Sequence, residues 1–417
     1  MPSFNGTIAV VGMGYIGLPT AVMLAAQGTQ VIGVDVNQRT VEMVCRGELP
    51  FVEPDLETSL SGVVARGRLT ATAEMPEADA YIIAVPTPFQ PDHTADLSYV
   101  QAAVADVAPK LRPGAIVVIE STSPPGTTQT VTEWLAELRP DLKLPSEGEA
   151  QPDVFVAHCP ERVLPGSIMV EMVLNDRVVG GITRQCAEKA AEIYRVFCQG
   201  EIQICDAASA EMAKLVENAY RDVNIAFANE LSMICDQIGL DVWEVIKMAN
   251  HHPRVNILKP GPGVGGHCIA VDPWFIVGAA PGLARLIRTA REVNDSKPEF
   301  IVDHVVRSVA RFREPEVACL GLTFKANVDD VRESPAVDIV QLLASRLPDV
   351  TINVADPMAT ELPSRLAGIP NIQFVRPTTA VAQSDVVLLL VDHDAFRSIS
   401  RPLLEGKVVF DTRGYWR

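Results

Sequence analysis

The chain is 417 residues long, 48% hydrophobic, and carries a formal net charge of -17. That length gives a prior of about two to three domains, and the apolar content can fill more than one core. The acidic balance, with no basic run anywhere, argues against a nucleic-acid or membrane-surface partner.

Residues 7–11 form a short apolar run ended by glycines, 18–27 have helical character, and 31–34 form a second apolar run ending at Asp35. That order is a βαβ opening. Further strands are predicted at 81–85, 115–120, 154–157, 177–179 and 202–204, with helical segments between most of them. Such alternation predicts a mostly parallel, doubly wound sheet. From Ser209 the pattern changes. Met212, Leu215, Val216, Ala219, Val223, Phe227, Leu231, Ile234 and Ile238 recur at helical spacing, and Gly239 closes the run as its C′ residue, which predicts a long amphipathic helix. A second helix is predicted to start at an Asp241 cap, a Pro/Gly loop spans 253–266, and helical segments resume from Gly282 toward Phe312. Strands return at 317–320, 351–354, 386–391 and 408–411, separated by helix-like stretches such as 336–347. The predicted fold class is α/β: two Rossmann-like doubly wound domains, over 1–205 and 301–417, joined by a central helical region over 206–300. No internal repeat is evident beyond this loose echo of α/β architecture, and 144–152 read as a loop.

Eight scattered cysteines show neither a C-x-x-C pair nor the Cys/His spacing of a zinc site, so no metal is expected and a reducing, cytoplasmic compartment fits best. No basic stretch precedes the first apolar run, which Gly12 and Gly14 interrupt, so it reads as a strand and not a signal peptide. Runs such as 81–85 are too short to span a bilayer.

Two motifs carry chemistry. Gly12-x-Gly14-x-x-Gly17 follows a strand, opens a helix and is answered by Asp35 at the end of the next strand, where ribose hydroxyls would lie. Asp35 would repel a 2′-phosphate, and Arg39 is the only base nearby, so NAD is favoured over NADP. Far downstream, Cys268 ends a run that contains Gly263, Gly265, Gly266 and His267. The glycines let backbone approach a ligand closely and offer amide donors to an oxyanion or thiolate. A dehydrogenase that only interconverts alcohol and carbonyl needs no nucleophile. A thiol becomes useful when an aldehyde must be captured as a thiohemiacetal, oxidised again to a thioester and hydrolysed. The expected chemistry is therefore alcohol to acid at one site.

Lys214 and Asn218 lie four apart on the long helix and Asp222 continues their stripe. By default such a stripe is solvated surface; it becomes functional if it faces the reacting carbon, where Lys214 and Asn218 could stabilise an alkoxide. His267 is expected to point away from Cys268, His251 and His252 have no carboxylate at ligand spacing, and Trp243, Trp274 and Cys319 read as packing residues.

These residues stand in longer blocks: Val11-Gly-Met-Gly-Tyr-Ile-Gly-Leu-Pro19, Val85-Pro-Thr-Pro88, Glu120-Ser-Thr-Ser-Pro-Pro-Gly126, Pro160-Glu-Arg-Val-Leu-Pro-Gly166, the helix from Lys214 to Glu230, the cysteine loop, and Gly321-Leu-Thr-Phe-Lys-Ala-Asn through Arg332-Glu-Ser-Pro335. Through them the chain resembles the UDP-glucose/GDP-mannose dehydrogenase family almost end to end. The resemblance implies an N-terminal NAD-binding domain, a central dimerisation region and a C-terminal UDP-sugar-binding domain. The activity it implies is a four-electron oxidation at C6 of the sugar, using two NAD in turn, with Cys268 carrying the thiohemiacetal and thioester.

Carried over by position, Lys214 and Asn218 would hold the oxyanion, Thr122 and Asp272 would order a water, and Glu161 would assist thioester hydrolysis. NAD would be held by Gly12, Gly14, Tyr15, Ile16, Gly17, Asp35 and Arg39, together with Pro86, Thr87, Thr122 and Arg332. The UDP-sugar would meet Glu161, Arg162, Val163, Lys214, Asn218, Asn256, Gly265 and Lys325, with Arg254 approaching a neighbouring subunit's substrate. The base for the alcohol is either a neutral Lys214 or a water polarised by Asp272.

Pro165 stands where the UDP-glucose enzymes carry a glutamate and Val271 where they carry a lysine. Blocks such as His252-Pro-Arg-Val-Asn-Ile-Leu and the terminal Gly414-Tyr-Trp-Arg417 point instead to UDP-N-acetylhexosamines, UDP-ManNAc ahead of UDP-GlcNAc. A homodimer or higher homo-oligomer is expected. Two other readings share part of the pattern: a two-electron dehydrogenase of the 3-hydroxyacid type, which would leave Cys268 idle, and a non-catalytic NAD-binding protein.

Overall fold

A computed structural model describes residues 4–51, 53, 55–90, 92–146, 151–163, 166–266 and 268–416; Pro165 and His267 lie outside them. The chain forms two compact units, Met1–Glu217 and Asn218–Arg417.

In the first unit, β1 (Thr7–Val11), β2 (Gln30–Val34), β3 (Leu69–Thr72), β4 (Ala80–Ile83), β5 (Ala115–Ile119), β6 (Val154–His158), β7 (Arg177–Gly181) and β8 (Ile202–Asp206) form one sheet in the order β3-β2-β1-β4-β5-β6-β7-β8. All neighbours are parallel except β6 and β7, where Ala157 faces Gly181. β4 and β5 are buried along their whole length, as parallel strands covered on both faces must be. Order reverses between β2-β1 and β4-β5, and ligands of such sheets bind beyond the strand ends at that switch point.

The second unit repeats the plan. β9 (Glu316–Leu320), β10 (Thr351–Ala355), β11 (Ile372–Phe374), β12 (Val386–Leu389) and β13 (Val408–Asp411) run parallel in the order β11-β10-β9-β12-β13. The repeat is closer than the sequence suggests. Gly12 after β1 and Gly321 after β9 both take φ 94. Asp35 after β2 accepts the Met13 and Asn37 N–H groups, and Asp356 after β10 accepts those of Leu322 and Met358. The two acids differ in setting, since Asp356 is buried and also lies 3.3 Å from His393 Nε2.

Between the sheets in sequence lie the long helix Ala207–Ile238, then Val242–Ala249, Asp272–Ala279 and Arg285–Val309. Asp241 caps Val242–Ala249 through the Trp243 and Glu244 N–H groups, as expected. The helix Asp272–Ala279 was not foreseen; it opens on an acid and a proline, both favoured in a first turn. No helix among the described residues is long and apolar enough to cross a membrane.

The sequence left the polar stripe of the long helix either solvated or turned toward a site. It is not solvated: Lys214 is 9% exposed and Asp222 fully buried. Part of the apolar period faces outward instead, with Val216 50%, Phe227 55% and Ile238 61% exposed. Two inward acids of this helix are tolerated because they find partners. Glu211 accepts from the Gly126 and Thr128 N–H groups, Asp222 from Arg291 Nη1 at 2.7 Å and Asn294 Nδ2 at 2.8 Å.

Candidate active site

The first unit gathers the residues expected to hold a dinucleotide at the carboxyl ends of its parallel strands. Gly12 takes a left-handed turn in which a Cβ would stand 2.6 Å from Ala84 O. A Cβ on Gly17 would come within 1.9 Å of Gly12 O, so only glycine lets the helix Gly17–Ala26 sit this close to its strand. At Gly14, by contrast, a Cβ would meet nothing within 4 Å, leaving backbone open to an incoming pyrophosphate at a helix N-terminus. Asp35 is held at the rim by two backbone donors, each occupying one lone pair and leaving capacity for ribose hydroxyls. These residues fit NAD. Gly17→Ala is expected to cost about 1–3 kcal/mol by overpacking and to weaken NAD binding, measurable by thermal unfolding and by NADH fluorescence titration.

Tyr15 stacks on Phe51 with centroids 4.2 Å apart, while Ile16 is half-buried and Arg39 exposed. β4 stops at Ile83, two residues short of the predicted end, so Pro86 and Thr87 lie in the loop beyond it. Thr87 Oγ1 donates to the Thr122 carbonyl at 2.6 Å, tying the β4 and β5 loops together. After β6, Glu161 is buried and Val163 packs on the core, while Arg162 turns to Glu217 in an ion pair and to the Asp176 carbonyl at 3.2 Å.

The second unit holds the thiol. Of the eight cysteines only Cys45 and Cys268 are exposed. Burial pushes the thiols of Cys159 and Cys319 up to about 12, which makes them inert. The Cys268 carbonyl accepts the Val271 and Asp272 N–H groups at 3.1 and 2.9 Å, which seats the cysteine in the turn that leads into the helix Asp272–Ala279. Asp272 is 2% exposed, and its Oδ2 accepts from Asn218 Nδ2 at 2.6 Å. Three residues singled out separately, Asn218, Cys268 and Asp272, thus come together within one unit.

The loop glycines press on protein and not on open space. A Cβ on Gly265 would stand 2.3 Å from Glu333 O, one on Gly263 2.9 Å from Pro335 Cβ, and one on Gly266 3.1 Å from the Phe324 ring. The close approach expected of a ligand is therefore made by residues 324–335. Lys325 is exposed, its carbonyl fixed by Thr323 Oγ1. Arg332 pairs with Asp330 at 2.6 Å, and Arg254 and Asn256 are exposed.

Sequence reasoning missed a cavity of about 600 Å³ lined by Lys259, Arg397, Arg401 and Arg413 with Asp392, Tyr415 and Trp416. Arg413 Nε pairs with Asp392 at 3.0 Å. Four cations around one acid, on a chain of net charge -17, concentrate positive potential locally. The signal was present, since the last twenty-one residues include Arg397, Arg401, Arg413, Tyr415 and Trp416, but their convergence with Lys259 depends on folding. Among the described residues no three His, Cys, Asp or Glu side chains meet at metal-binding spacing.

Three family models match in order: the NAD binding domain of the UDP-glucose/GDP-mannose dehydrogenase family over residues 6–198, its central domain over 208–296 and its UDP binding domain over 318–417. The chain is 54% identical to the NDP-N-acetyl-D-galactosaminuronic acid dehydrogenase of Ralstonia nicotianae, over 98% of this chain and 96% of that one. It is 52% identical to the UDP-N-acetyl-D-mannosamine dehydrogenase of Escherichia coli strain K12, over 99% of each. Among solved structures, the UDP-D-ManNAc dehydrogenase of Pyrococcus horikoshii matches with a TM-score of 0.87 at 36% identity, over 99% of this chain and 96% of that one. The cofactor turn and the thiol loop thus fall in the segments matched to the NAD and central domains, the cationic cavity, apart from Lys259, falls in that matched to the UDP domain, and the chain belongs to the UDP-glucose/GDP-mannose dehydrogenase family as an NAD-dependent UDP-sugar dehydrogenase.

Proposed function

We propose that the chain oxidises the C6 alcohol of a UDP-N-acetylhexosamine to the uronic acid at one site, with Cys268 as covalent carrier and UDP-ManNAc as the favoured substrate. The observation that supports this reading is the Asn218–Asp272–Cys268 arrangement: an amide hydrogen-bonded to a carboxylate whose backbone N–H is in turn bonded to the carbonyl of an exposed cysteine. Bound NAD supplies the hydride acceptor for both oxidations.

Lys214 and Asn218 stabilise negative charge on the reacting oxygen. Asp272, fixed by Asn218, orients a water. Cys268 adds to the aldehyde carbon, giving a thiohemiacetal whose oxidation leaves a thioester, and Glu161 activates the water that releases the acid. Thr122 and Thr87 shape the loop beside the cofactor. The cationic cavity around Lys259 and Arg413 suits the diphosphate of the nucleotide. The outward apolar side of the long helix suits a second copy of the chain, giving a homodimer or larger assembly.

The N-acetyl group is the firmest part of the substrate reading, since the Ralstonia and Escherichia relatives both carry it in their names while differing in the hexose. The test is NADH absorbance with UDP-ManNAc, UDP-GlcNAc, UDP-GalNAc and UDP-glucose in parallel. The expected result is fastest turnover of UDP-ManNAc at two NADH per sugar. Preference for UDP-glucose, or one NADH per sugar, overturns the reading.

A further inference from the structure

At the carboxyl ends of β5 and β6 the first unit buries a charged cluster of which the steps above use Glu161 alone. Arg177 opens β7 with 4% of its side chain exposed, against 6% for Glu161. Its Nη2 donates to Glu161 Oε2 at 2.8 Å, and the Arg162 backbone N–H donates to Oε1 at 2.7 Å. Both oxygens of the Glu161 carboxylate are thus held. The guanidinium is itself confined, lying 5.0 Å from the Tyr194 ring centroid and 5.1 Å from that of Phe197, with Nη1 3.9 Å from Cys159 Sγ. A second acid joins the cluster. Glu120, 1% exposed, accepts from Thr20 Oγ1 at 3.1 Å and from the Tyr194 hydroxyl at 3.3 Å.

The guanidinium pairs directly with Glu161, and Glu120 stands within reach of its charge. Burial, then the charge of Glu161, push the Glu120 carboxyl up to about 8. At neutral pH it is protonated, and the cluster balances as a single ion pair. The groups facing it are Cys159 and Glu161 after β6, Arg177 on β7, Tyr194 on the helix Arg184–Tyr194 and Thr20 on the helix Gly17–Ala26. Cys159 is pushed up to about 12 and Tyr194 well above its ordinary value, both by burial. Glu120 is thus the first of them to gain negative charge as pH rises.

We propose that Arg177 is a positioning residue that holds the Glu161 carboxylate for hydrolysis of the Cys268 thioester, with Glu120 as the acid that competes for the same guanidinium. The inference rests on the thiol mechanism proposed above. In the step concerned, water adds to the thioester carbon and passes a proton to Glu161. The C–S bond breaks as the carbonyl re-forms, and sulfur leaves with the bonding pair and is reprotonated, giving acid and thiol with no change in oxidation state. A tether at each oxygen keeps one lone pair aimed at the water, and a displacement of about 1 Å costs roughly 10²-fold.

The test is rapid-quench kinetics on the full-length enzyme with UDP-ManNAc. Arg177→Lys keeps the charge but loses the second arm of the guanidinium fork. It is expected to give an undiminished burst of two NADH per site, then turnover slowed roughly ten- to a hundredfold, with an acyl adduct accumulating at Cys268 by mass spectrometry. In Glu120→Gln, whose amide cannot ionise, the fall in hydrolysis rate above about pH 8 disappears. A change that only damages the fold would lower the burst itself. Wild type giving two NADH and a Cys268 adduct, alongside Arg177→Lys hydrolysing at the wild-type rate or Glu120→Gln keeping the alkaline fall, overturns the positioning role alone. Wild type giving one NADH and no adduct overturns the thiol mechanism and this proposal together.

Discussion

Enzyme carrying Cys268→Ala is expected to bind NAD and UDP-sugar normally and to form no uronic acid. The aldehyde carbon has no hydride that can leave until a nucleophile makes it tetrahedral, and under the proposed mechanism exposed Cys268, in the turn leading into Asp272–Ala279, is that nucleophile. Removing a covalent nucleophile costs up to about 10⁶-fold in turnover where it has been measured. The check is NADH release together with chromatography of the sugar product. Full acid formation by the alanine variant would return Cys268 to the status of an idle loop residue.

The second large effect is on stability. Asp222 and Arg291 are 0% and 2% exposed, and their ion pair joins the long helix to Arg285–Val309. From it a buried chain of hydrogen bonds runs on: Asn294 Nδ2 donates to Asp222, Asn229 Nδ2 donates to Asn294 Oδ1, and the Gly261 N–H donates to Asn229 Oδ1. The chain ends where the cysteine loop begins. Burial pushes the Asp222 carboxyl up even with Arg291 alongside, so the pair costs desolvation and contributes arrangement more than net stability. Asp222→Asn leaves the buried guanidinium with half-exposed Asp295 alone as a charged partner and is expected to cost about 3–5 kcal/mol, a fall in Tm of roughly 6–20 °C for a unit of this size. Replacing both partners, Asp222→Leu with Arg291→Met, should recover much of that loss. Calorimetry of the three variants decides; a single variant within about 1 kcal/mol of wild type contradicts the argument.

Much of the first sheet was legible because a parallel strand covered on both faces is written as an unbroken apolar run, as in Ala115–Ile119. The edge strands Leu69–Thr72 and Ile372–Phe374 have one buried residue each, and so carry little signal. The helix Asp272–Ala279 escaped notice for the opposite reason, since residues 272–277 are buried all round and leave no polar face to give a period. The cofactor turn could be read because its glycines and acid are fixed by spacing along the chain. Arg177 could not, because its meaning depends on Glu161 and Glu120, which arrive from other strands. The stripe of Lys214, Asn218 and Asp222 could be placed on one side of a helix, but which side would be covered was decided by Arg291, 69 residues away from Asp222.

The matching acids of the two sheets bear on how many coenzymes the chain can hold at once. Asp35 stands half-buried at its rim, whereas Asp356 is sealed beneath the surface and spent on Leu322, Thr323, Met358 and His393. The Asp356 carboxylate braces its own loop and offers no ribose site, so under the proposed mechanism a single berth would serve both oxidations. Under the thiol mechanism, the spent coenzyme must therefore depart and a fresh one arrive while the half-oxidised sugar waits. A bond to sulfur acts as the mooring that keeps the aldehyde from drifting away during that exchange.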